Sequence, residues 1–542
     1  MPKIGLVRFP ASLALLAAAS LGSACQQQSG GSQVAAKVEP NVQPSVQGAA
    51  TPGGRELHVE LTAQYADNVI GGDKVHLRSY NGGLVGPTMR ARPGDTLNIH
   101  LMNKLPANIP SPNNLQAQAA ELAREITRNV PPLLTSNIPH NFNTTNLHTH
   151  GLHVSPAGNS DNVLIALSPG EEFFYEIKIP PDHPPGTFWY HPHVHGSTSV
   201  QVGSGMEGAL IIEGDIDRVP AIAAAKEQIF VLQQIPYGKM DNPIVKEDKK
   251  GGLESFNRSF LNGAWDRGGW RTTINGQLEP VFEMQPGEVQ RWRYIDAGAE
   301  ESLRLKIEGP DKKALPQLVI AMDGITTGKI EPSEALDMYP GYRFDVLIQA
   351  PDKEGEYLIL DEEAPSITSL LGNKETRKTI ARLVVKGAPK PMALPQQAEL
   401  APLAPYKSIE DKEVTGQQAV HFGVKLTGET AYPFAVDGVG FDPKAAPRQL
   451  KLGGVDEWTV SSEVIGPHIF HIHVNPFEVI EPDGRRYWKD TLFVKGGAKV
   501  KLRTRYVRYV GKFVLHCHIL PHEDLGMMQV VEVVAPTAHV HL

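Results

Sequence analysis

Cysteine, basic charge and long apolar runs are all scarce in this chain of 542 residues. Its 2 cysteines cannot build a disulfide framework. Because 52 basic residues are outnumbered by 60 acidic ones, the net charge is -8, and the positive field that nucleic acid binding requires is absent. Apart from a short apolar run near the start, no segment approaches the length of a transmembrane helix. With 41% hydrophobic residues, the chain is predicted to be globular.

Glycine and proline are instead abundant, at 51 and 44 residues, which favours many short strands joined by turns. Alternating apolar and polar residues predict strands with one buried face, for example over 57–61, 97–101 and 175–179. A chain of this length normally divides into several domains. The composition therefore predicts a multidomain, all-β protein.

Residues 1–24 have the pattern of a signal peptide, in which basic residues precede an apolar run at 11–19 that is too short to cross a bilayer. This predicts export to the periplasm or cell envelope. Cys25 stands where bacterial lipoproteins carry a lipid-anchored cysteine, but Gly22 occupies a position that usually holds a large aliphatic residue. A lipid anchor at Cys25 and ordinary cleavage before it are both open, and residues 25–50 are predicted to form a flexible linker.

Two sequence markers recur three times along the chain. The first marker is a glycine that begins an apolar strand and precedes an aromatic residue by two positions, at Gly186, Gly355 and Gly511. The second is a glycine-containing turn that comes before an alternating strand. These repeats predict three similar β-sandwich domains, at 51–215, 226–390 and 400–542. A helical pattern over 115–126 departs from the repeat and lies in an insertion at 111–134.

Six His-x-His pairs occur among the 20 histidines, where composition alone predicts roughly 0.7. The pairs are 148/150, 191/193, 193/195, 471/473, 516/518 and 539/541. Residues i and i+2 of a strand point to the same face, so each pair can aim two imidazoles at one metal ion. The middle domain has Leu360 and Glu362 where the repeat gives its neighbours a histidine pair. The metal chemistry is therefore predicted between the first and third domains, with the middle domain as a metal-free spacer.

Cys517 lies between His516 and His518, so its thiolate is predicted to point to the opposite face of the strand from both imidazoles. One strand could then serve two metal centres. A thiolate with two imidazoles and a weak axial methionine suits blue copper. Suitable partners are present: His468, His522 and Met527. Zinc is disfavoured because it does not explain a cysteine linked covalently to two further ligand positions. The alternative to a metal site is a buried free cysteine beside unrelated histidines.

Four histidine motifs resemble those of the multicopper oxidases of the three-domain, laccase-like kind. They occupy residues 148–151, 191–193, 468–473 and 516–527. The last motif, His-Cys-His-Ile-Leu-Pro-His-Glu-Asp-Leu-Gly-Met, is highly specific. The resemblance spans all three predicted domains and implies an all-β fold of three consecutive cupredoxin-like Greek-key β-sandwich domains.

The resemblance also implies four copper ions per chain: one type 1, one type 2 and two type 3. The type 1 ligands would be His468, Cys517 and His522, with Met527 axial. The type 2 copper would take His148 and His471. The type 3 pair would take His150, His191, His193, His473, His516 and His518. No ligand position of the family is missing.

In this family a reducing substrate donates single electrons to the type 1 copper. The cysteine and its histidine neighbours then carry these electrons to the three-copper cluster, where O2 is reduced to two waters. Cys517 would have that role here. The reduction consumes four protons, which calls for carboxylates near the cluster. Glu523 and Asp161 match positions that the family uses for proton delivery. Surface or loop-capping roles are the alternatives for both.

The substrate class is open at this stage. Phenols and aromatic amines form one hypothesis, and Cu(I), Fe(II) or Mn(II) form the other. Soft Cu(I) favours thioether clusters, but the 11 methionines are scattered apart from Met527 and Met528, which favours an organic substrate. A non-enzymatic copper-binding or cell-envelope scaffold is a third hypothesis, which the complete ligand set disfavours.

Several histidines lie outside the implied ligand set. His195 is expected to support the ligands or to line a channel, because the repeat aligns 191/193 rather than 193/195 with 516/518. His153 is ambiguous, and the pair 539/541 is expected to be solvated near the chain end. Neither the oligomeric state nor the redox potential can be predicted from the sequence.

Overall fold

The computed structural model of the protein describes residues 49–51, 54–108, 137, 139–235, 271–368, 370, 377–425, 432–464 and 466–536. The predicted signal peptide, Cys25, the helical pattern at 115–126 and the pair 539/541 lie outside these residues. Within the described part of the chain, no helix has both the length and the apolar character needed to cross a membrane.

The described residues of the first region form nine strands in two sheets. They are β1 (Ala49–Thr51), β2 (Gly54–Ile70), β3 (Asp73–Tyr80), β4 (Met89–Ala91), β5 (Thr96–Asn103), β6 (His148–His150), β7 (Glu172–Lys178), β8 (Gly186–His191) and β9 (Gly208–Ile212). One sheet has the order β1-β2-β5-β7 with β3 paired to β2, and the other has the order β4-β9-β8-β6. Alternate residues of β2, β5 and β7 are buried against the second sheet, so the strands predicted at 57–61, 97–101 and 175–179 are confirmed.

Eleven strands are found in the part of the second region that the structure describes. They are β10 (Lys226–Ile235), β11 (Arg271–Ile274), β12 (Val281–Met284), β13 (Val289–Asp296), β14 (Leu303–Glu308), β15 (Gln317–Met322), β16 (Ile325–Ser333), β17 (Leu336–Met338), β18 (Arg343–Gln349), β19 (Gly355–Asp361) and β20 (Lys378–Val385). Their sheets have the orders β11-β10-β13-β18-β15-β16 and β12-β20-β19-β14-β17.

The third region repeats this plan. Its strands are β21 (Gly416–Lys425), β22 (Tyr432–Val436), β23 (Arg448–Lys451), β24 (Val455–Ser462), β25 (His468–Ile472), β26 (Phe477–Ile480), β27 (Arg486–Lys489), β28 (Thr491–Val494), β29 (Lys499–Arg505), β30 (Gly511–Cys517) and β31 (Met528–Val534). The sheets have the orders β22-β21-β24-β29-β26-β27 and β23-β31-β30-β25-β28.

Helices are short and few in the described residues. The α-helices are α1 (Thr198–Val202), α2 (Pro220–Ala224), α3 (Gln397–Leu400) and α4 (Leu520–Asp524). Three 3-10 turns occupy Asp215–Arg218, Ala401–Leu403 and Asp411–Glu413. Of these elements, α1 and α4 lie closest to the histidine motifs and pack against each other.

The three regions share one connectivity. In each, one sheet contains a parallel pair (β2 with β5, β10 with β13, β21 with β24). The other sheet contains a second parallel pair (β4 with β9, β12 with β20, β23 with β31). The strands that begin at Gly186, Gly355 and Gly511 each lie antiparallel beside the last strand of that second pair. The predicted all-β fold of repeated sandwiches is therefore confirmed.

Charged side chains join the first sandwich to the second. Arg293 on β13 is buried and donates from Nε to Glu227 at 2.6 Å and from Nη1 to the Thr187 hydroxyl at 2.8 Å. Glu227 also accepts a hydrogen bond from Arg90 of β4. Burial raises the pKa of Glu227, but Arg293 and Arg90 outweigh that effect and lower it to about 2. The ionised carboxylate thus stabilises this interface.

We expect Glu227→Gln to lower the free energy of unfolding at pH 7 by about 2 to 3 kcal/mol, since a pKa unit corresponds to about 1.4 kcal/mol. The pKa of Glu227 in the folded protein lies below the ordinary value of 4.5. Its contribution to stability is therefore complete above pH 4.5 and is lost as the pH falls toward about 2. Urea unfolding at pH 7 and pH 3 measures this difference. Glu213→Gln is the matched control, because Glu213 faces Arg90 at 3.5 Å with similar exposure. A Glu227 effect that is independent of pH would contradict the assignment.

Candidate metal centres

One sheet of the third sandwich carries side chains that could bind metal ions on both faces. In this sheet β30 pairs with β25, and His516 lies opposite His471 while Cys517 lies opposite Phe470. Because successive residues of a strand alternate between faces, Cys517 projects into the core of the third sandwich, where it packs with Phe470. His516 and His518 project from the other face, toward the first sandwich.

The core-facing site brings together a thiol and two imidazoles. Cys517 Sγ lies 3.6 Å from His468 Nδ1 and 3.8 Å from His522 Nδ1, and these two nitrogens are 3.2 Å apart. Cys517 is fully buried, and this burial raises the pKa of its thiol to about 12. A thiolate at this position therefore requires a bound cation to compensate its charge.

The turn after β30 returns the chain to this site. Helix α4 has Pro521 in its first turn and carries His522, whose backbone N–H donates to the Ile519 carbonyl at 2.9 Å. Gly526 follows with a φ of 113°, a backbone conformation that residues with a side chain rarely adopt. The turn places the carbonyl of Met527 3.0 Å from the backbone nitrogen of Cys517, and the Met527 side chain is buried in the same core cluster as Cys517.

A second, larger site lies between the first and third sandwiches. It contains eight buried histidines, two pairs from each sandwich: His148, His150, His191, His193, His471, His473, His516 and His518. Their ring nitrogens form three groups in which all ligand atoms lie within 4.8 Å of one another. The groups are His148/His150/His471, His150/His191/His518 and His193/His473/His516.

Imidazoles from the two sandwiches stack on each other. His148 stacks on His473 with ring centroids 4.0 Å apart and planes 5° apart, and His150 stacks on His471 at 4.0 Å and 12°. Across the same interface, His193 Nε2 lies 3.2 Å from His516 Nε2. The site therefore exists only where the two sandwiches meet.

Backbone carbonyls and a carboxylate orient the rings. Nδ1 of His471 donates to the Asp490 carbonyl at 2.7 Å, and Nδ1 of His191 donates to the Pro192 carbonyl at 2.9 Å. Nδ1 of His148 lies 3.0 Å from Asp161. These contacts fix the rings and direct Nε2 into the site, as is usual for histidine ligands of metals.

The residues present fit a group of metal ions. The buried Nε2 atoms of His148, His191 and His471 find no hydrogen-bond partner among the described residues. Burial lowers the pKa of His471 to about 3 and that of His516 to about 4, so the rings are neutral, the form in which imidazole binds metals. Unpartnered neutral imidazole nitrogens directed at shared points are the donor set that copper accepts.

Two buried carboxylates lie against the histidine site. Asp161 accepts the backbone N–H of Thr149 at 2.7 Å, and its burial raises its pKa to about 7. Glu523 Oε2 lies 3.1 Å from His516 Nδ1, and its Oε1 lies 3.4 Å from His193 Nδ1. Burial also raises the pKa of Glu523. Both residues named from the sequence thus touch the implied ligands.

Asp524 was missed by the sequence reasoning. It is fully buried and accepts backbone N–H groups of Gly196 at 2.7 Å and Ser199 at 2.9 Å. These contacts fix α4, which carries His522 and Glu523, to α1 and to the loop between His193 and α1. Its position directly after Glu523 in the sequence could have indicated that it lies near the histidine site.

His195 and His153 lie beside the sites rather than in them. His195 is 3.0 Å from the Asn137 side-chain oxygen, packs on Phe441, and lines a mostly apolar cavity of about 250 Å³ that reaches His193. His153 Nδ1 donates to the Val474 carbonyl at 2.6 Å. Neither residue belongs to a ligand group found in the described part of the chain.

Three models of one family, each described as multicopper oxidase, match residues 136–216, 247–388 and 413–536. Together they match more than half of the chain. The chain belongs to the multicopper oxidase family. Relatives that carry the names laccase and multicopper oxidase match it along most of its length, so this multicopper oxidase is a copper-dependent oxidoreductase with O2 as acceptor.

Named relatives and solved structures agree with this assignment. The oxidase is 25% identical over 464 residues to "Multicopper oxidase mco" of Staphylococcus aureus, with 84% of this chain and 83% of the relative covered. It is 23% identical over 504 residues to a laccase of Bacillus subtilis (strain 168), with 85% and 90% covered.

Among solved structures, a multicopper oxidase of Campylobacter jejuni described as a metallo-oxidase aligns with a TM-score of 0.67 at 24% identity, covering 93% of this oxidase and 98% of that chain. McoA from the hyperthermophile Aquifex aeolicus aligns with a TM-score of 0.69 at 20% identity, covering 92% and 99%. These similarities confirm the predicted cupredoxin-like fold.

Proposed function

We propose that this multicopper oxidase oxidises phenols and aromatic amines by one electron at a time at a type 1 copper and reduces O2 to water at a cluster of three coppers. The observation that carries the proposal is the position of Cys517. Its Sγ faces His468 and His522 on one side of the sheet, while the adjoining His516 and His518 reach the histidine site on the other. One short covalent path therefore joins the two sites.

The donor sets support one type 1, one type 2 and two type 3 coppers. The Cys517 site would hold the type 1 ion with His468, His522 and Met527. The type 2 ion would be held by His148 and His471. The two type 3 ions would be held by the groups His150/His191/His518 and His193/His473/His516. When bound, copper supplies one-electron transfer at the first site and four-electron reduction of O2 to two waters at the second.

The buried carboxylates are suited to handle the protons that this reduction consumes. Glu523 accepts a hydrogen bond from the Thr198 hydroxyl at 3.3 Å and lies beside two ring N–H positions of the histidine site. Asp161, with its pKa near 7, can hold and release a proton at neutral pH beside His148. We assign proton delivery to these two residues.

The surroundings of His522 favour an aromatic donor. His522 is only half-buried, whereas its partner His468 is buried, so an electron donor can approach the Cys517 site at His522. The ring of Phe434 stacks on His522 with centroids 3.9 Å apart and planes 17° apart. A planar substrate can extend this stack, which a hydrated metal ion cannot do.

Oxygen uptake by the copper-loaded oxidase tests the substrate class. A methoxyphenol, an aromatic diamine, Fe(II), Cu(I) and Mn(II) would be supplied in separate assays, with kcat/KM compared. We expect the highest kcat/KM with the phenol or the diamine. Uptake with Fe(II) or Cu(I) that far exceeds uptake with every organic donor would instead establish a metallo-oxidase.

We expect Phe434→Leu to lower kcat/KM for phenols by about 2- to 10-fold, since an aromatic pair contributes about 0.5 to 1.5 kcal/mol. The rate with Fe(II) is expected to change less, because that donor gains nothing from a stacked ring. Phe441→Leu is the matched control, since Phe441 packs on His195 and not on His522. Equal losses for phenol and Fe(II) would show that Phe434 has no part in substrate choice.

A further inference from the structure

A buried arginine lies where all three sandwiches meet. Arg343, the first residue of β18, is 0% exposed, and its guanidinium binds Asp490 in a bidentate pair, with Nη1–Oδ1 at 2.7 Å and Nη2–Oδ2 at 2.6 Å. Its three remaining N–H groups donate to carbonyls of Thr187 at 3.2 Å, Gly341 at 2.9 Å and Asp323 at 2.9 Å. All five donors of the side chain are satisfied. Thr187 belongs to the first sandwich, and Asp490 to the third.

Asp490 and the adjoining Thr491 contact one histidine from each outer sandwich. The Asp490 carbonyl accepts from Nδ1 of His471 at 2.7 Å. The Thr491 hydroxyl donates to Asp490 Oδ1 at 2.8 Å and lies 3.1 Å from Nε2 of His150. Because the Thr491 hydroxyl directs its proton at Asp490, its oxygen can accept a hydrogen bond from the Nε2–H of His150. Nδ1 of His150 is then the nitrogen with a free lone pair, and it faces His518 at 3.2 Å.

The same arginine fixes a backbone segment against the histidines. Gly341, whose carbonyl Arg343 binds, has a φ of 91°, and a Cβ added there would lie 3.2 Å from His150 and 3.3 Å from His518. The segment therefore packs directly on two rings of the group His150/His191/His518. A side chain at this position would require the two rings to shift by a few tenths of an ångström and would strain the backbone.

We propose that Arg343 is a positioning residue for the histidine site: by holding Asp490 and Thr491 it selects Nδ1 of His150 as the ligating nitrogen and fixes His150 and His471 for metal binding. The second sandwich contributes no member to any ligand group found in the described residues. Through Arg343 it nevertheless controls the site between its neighbours. This inference rests on the proposed function in that copper is the ion concerned.

Arg293 offers a matched comparison in the same sandwich. It is 1% exposed and binds Asp345, Asp217 and Glu227, as well as the Thr187 hydroxyl. It thus resembles Arg343 in burial, charge and contact with the first sandwich. Among the described residues, its hydrogen-bond and ion-pair partners include no histidine and no residue that holds one. A purely structural contribution would be shared by both arginines.

The test compares Arg343→Met, Arg343→Lys and Arg293→Met with the wild type after copper loading. Copper per chain is measured by elemental analysis, and the visible absorption of the Cys517 site is recorded separately. We expect Arg343→Met to keep the absorption while its histidine site binds copper about 10- to 100-fold more weakly, as for other residues that orient metal ligands. Arg343→Lys should recover part of that affinity, and Arg293→Met should bind as the wild type does.

Thr491→Val provides a second variant that leaves the ion pair intact. It removes the hydroxyl that faces His150 and should weaken copper binding at the histidine site even if Arg343→Met fails to fold. Wild-type copper affinity in both Arg343→Met and Thr491→Val would overturn the inference, as would equal losses in Arg343→Met and Arg293→Met. A wild type that binds no copper between the outer sandwiches would instead refute the proposed function.

Discussion

Cys517→Ser is expected to abolish the blue absorption of the copper-loaded oxidase and to reduce O2 uptake with every donor to background. Serine removes the thiolate that the type 1 site requires, and it also removes the sulfur from the path between the two sites. The eight histidines are unchanged, so the histidine site should retain its copper. Visible spectra, elemental analysis and oxygen uptake measure the three consequences on one preparation.

Met528→Leu is the matched control for this prediction. Met528 directly follows Met527 in the sequence and is also buried. It packs with Val163 and Phe441, however, away from the Cys517 site. The control should stay blue and active. If Cys517→Ser oxidised phenols with O2 at a substantial fraction of the wild-type rate, electrons would be entering by another route, and the proposed role of Cys517 would be wrong.

Glu523→Gln is expected to lower kcat by about 100- to 10,000-fold, the range that a positioned proton donor or acceptor contributes. Glutamine preserves the shape and can still accept from the Thr198 hydroxyl, but it cannot carry a proton. Copper content and blue absorption should therefore remain. In stopped-flow experiments, anaerobic bleaching of the blue colour by a phenol should keep its wild-type rate, while the return of the colour with O2 should slow.

Asp524→Asn separates this effect from simple disruption of α4. Asp524 binds backbone N–H groups and anchors the same helix, so its variant should lower thermal stability with a smaller effect on kcat. If Glu523→Gln lost copper, or if its kcat matched the wild type, proton delivery would not be the role of Glu523.

The parts of the molecule that could be predicted depend on local rules. Strand alternation is a property of consecutive residues, so it was enough to place Cys517 and its neighbours on opposite faces of β30. The recurring glycine-led strands likewise identified the repeated sandwich, because each copy obeys the same connectivity. Asp161 and Glu523 came from the resemblance, and the structure places both beside the histidines.

The parts that were missed depend on how strands and sandwiches meet. Thr491 lies beside His471 through the register of β28 with β25, which alternation alone does not determine. Arg343 reaches Asp490 only because the second sandwich docks between the others, so a spacer role understates what that sandwich does. Phe434 lies on β22 and stacks on His522 of α4, almost ninety residues further along the chain. None of these contacts has a sequence pattern.

Diffraction from crystals of the copper-loaded oxidase, recorded on both sides of the copper absorption edge, tests directly whether copper occupies both sites. We expect four anomalous peaks: one among His468, Cys517 and His522, and three among the eight histidines between the first and third sandwiches. A peak at Cys517 alone, with none between the sandwiches in fully loaded protein, would contradict this expectation.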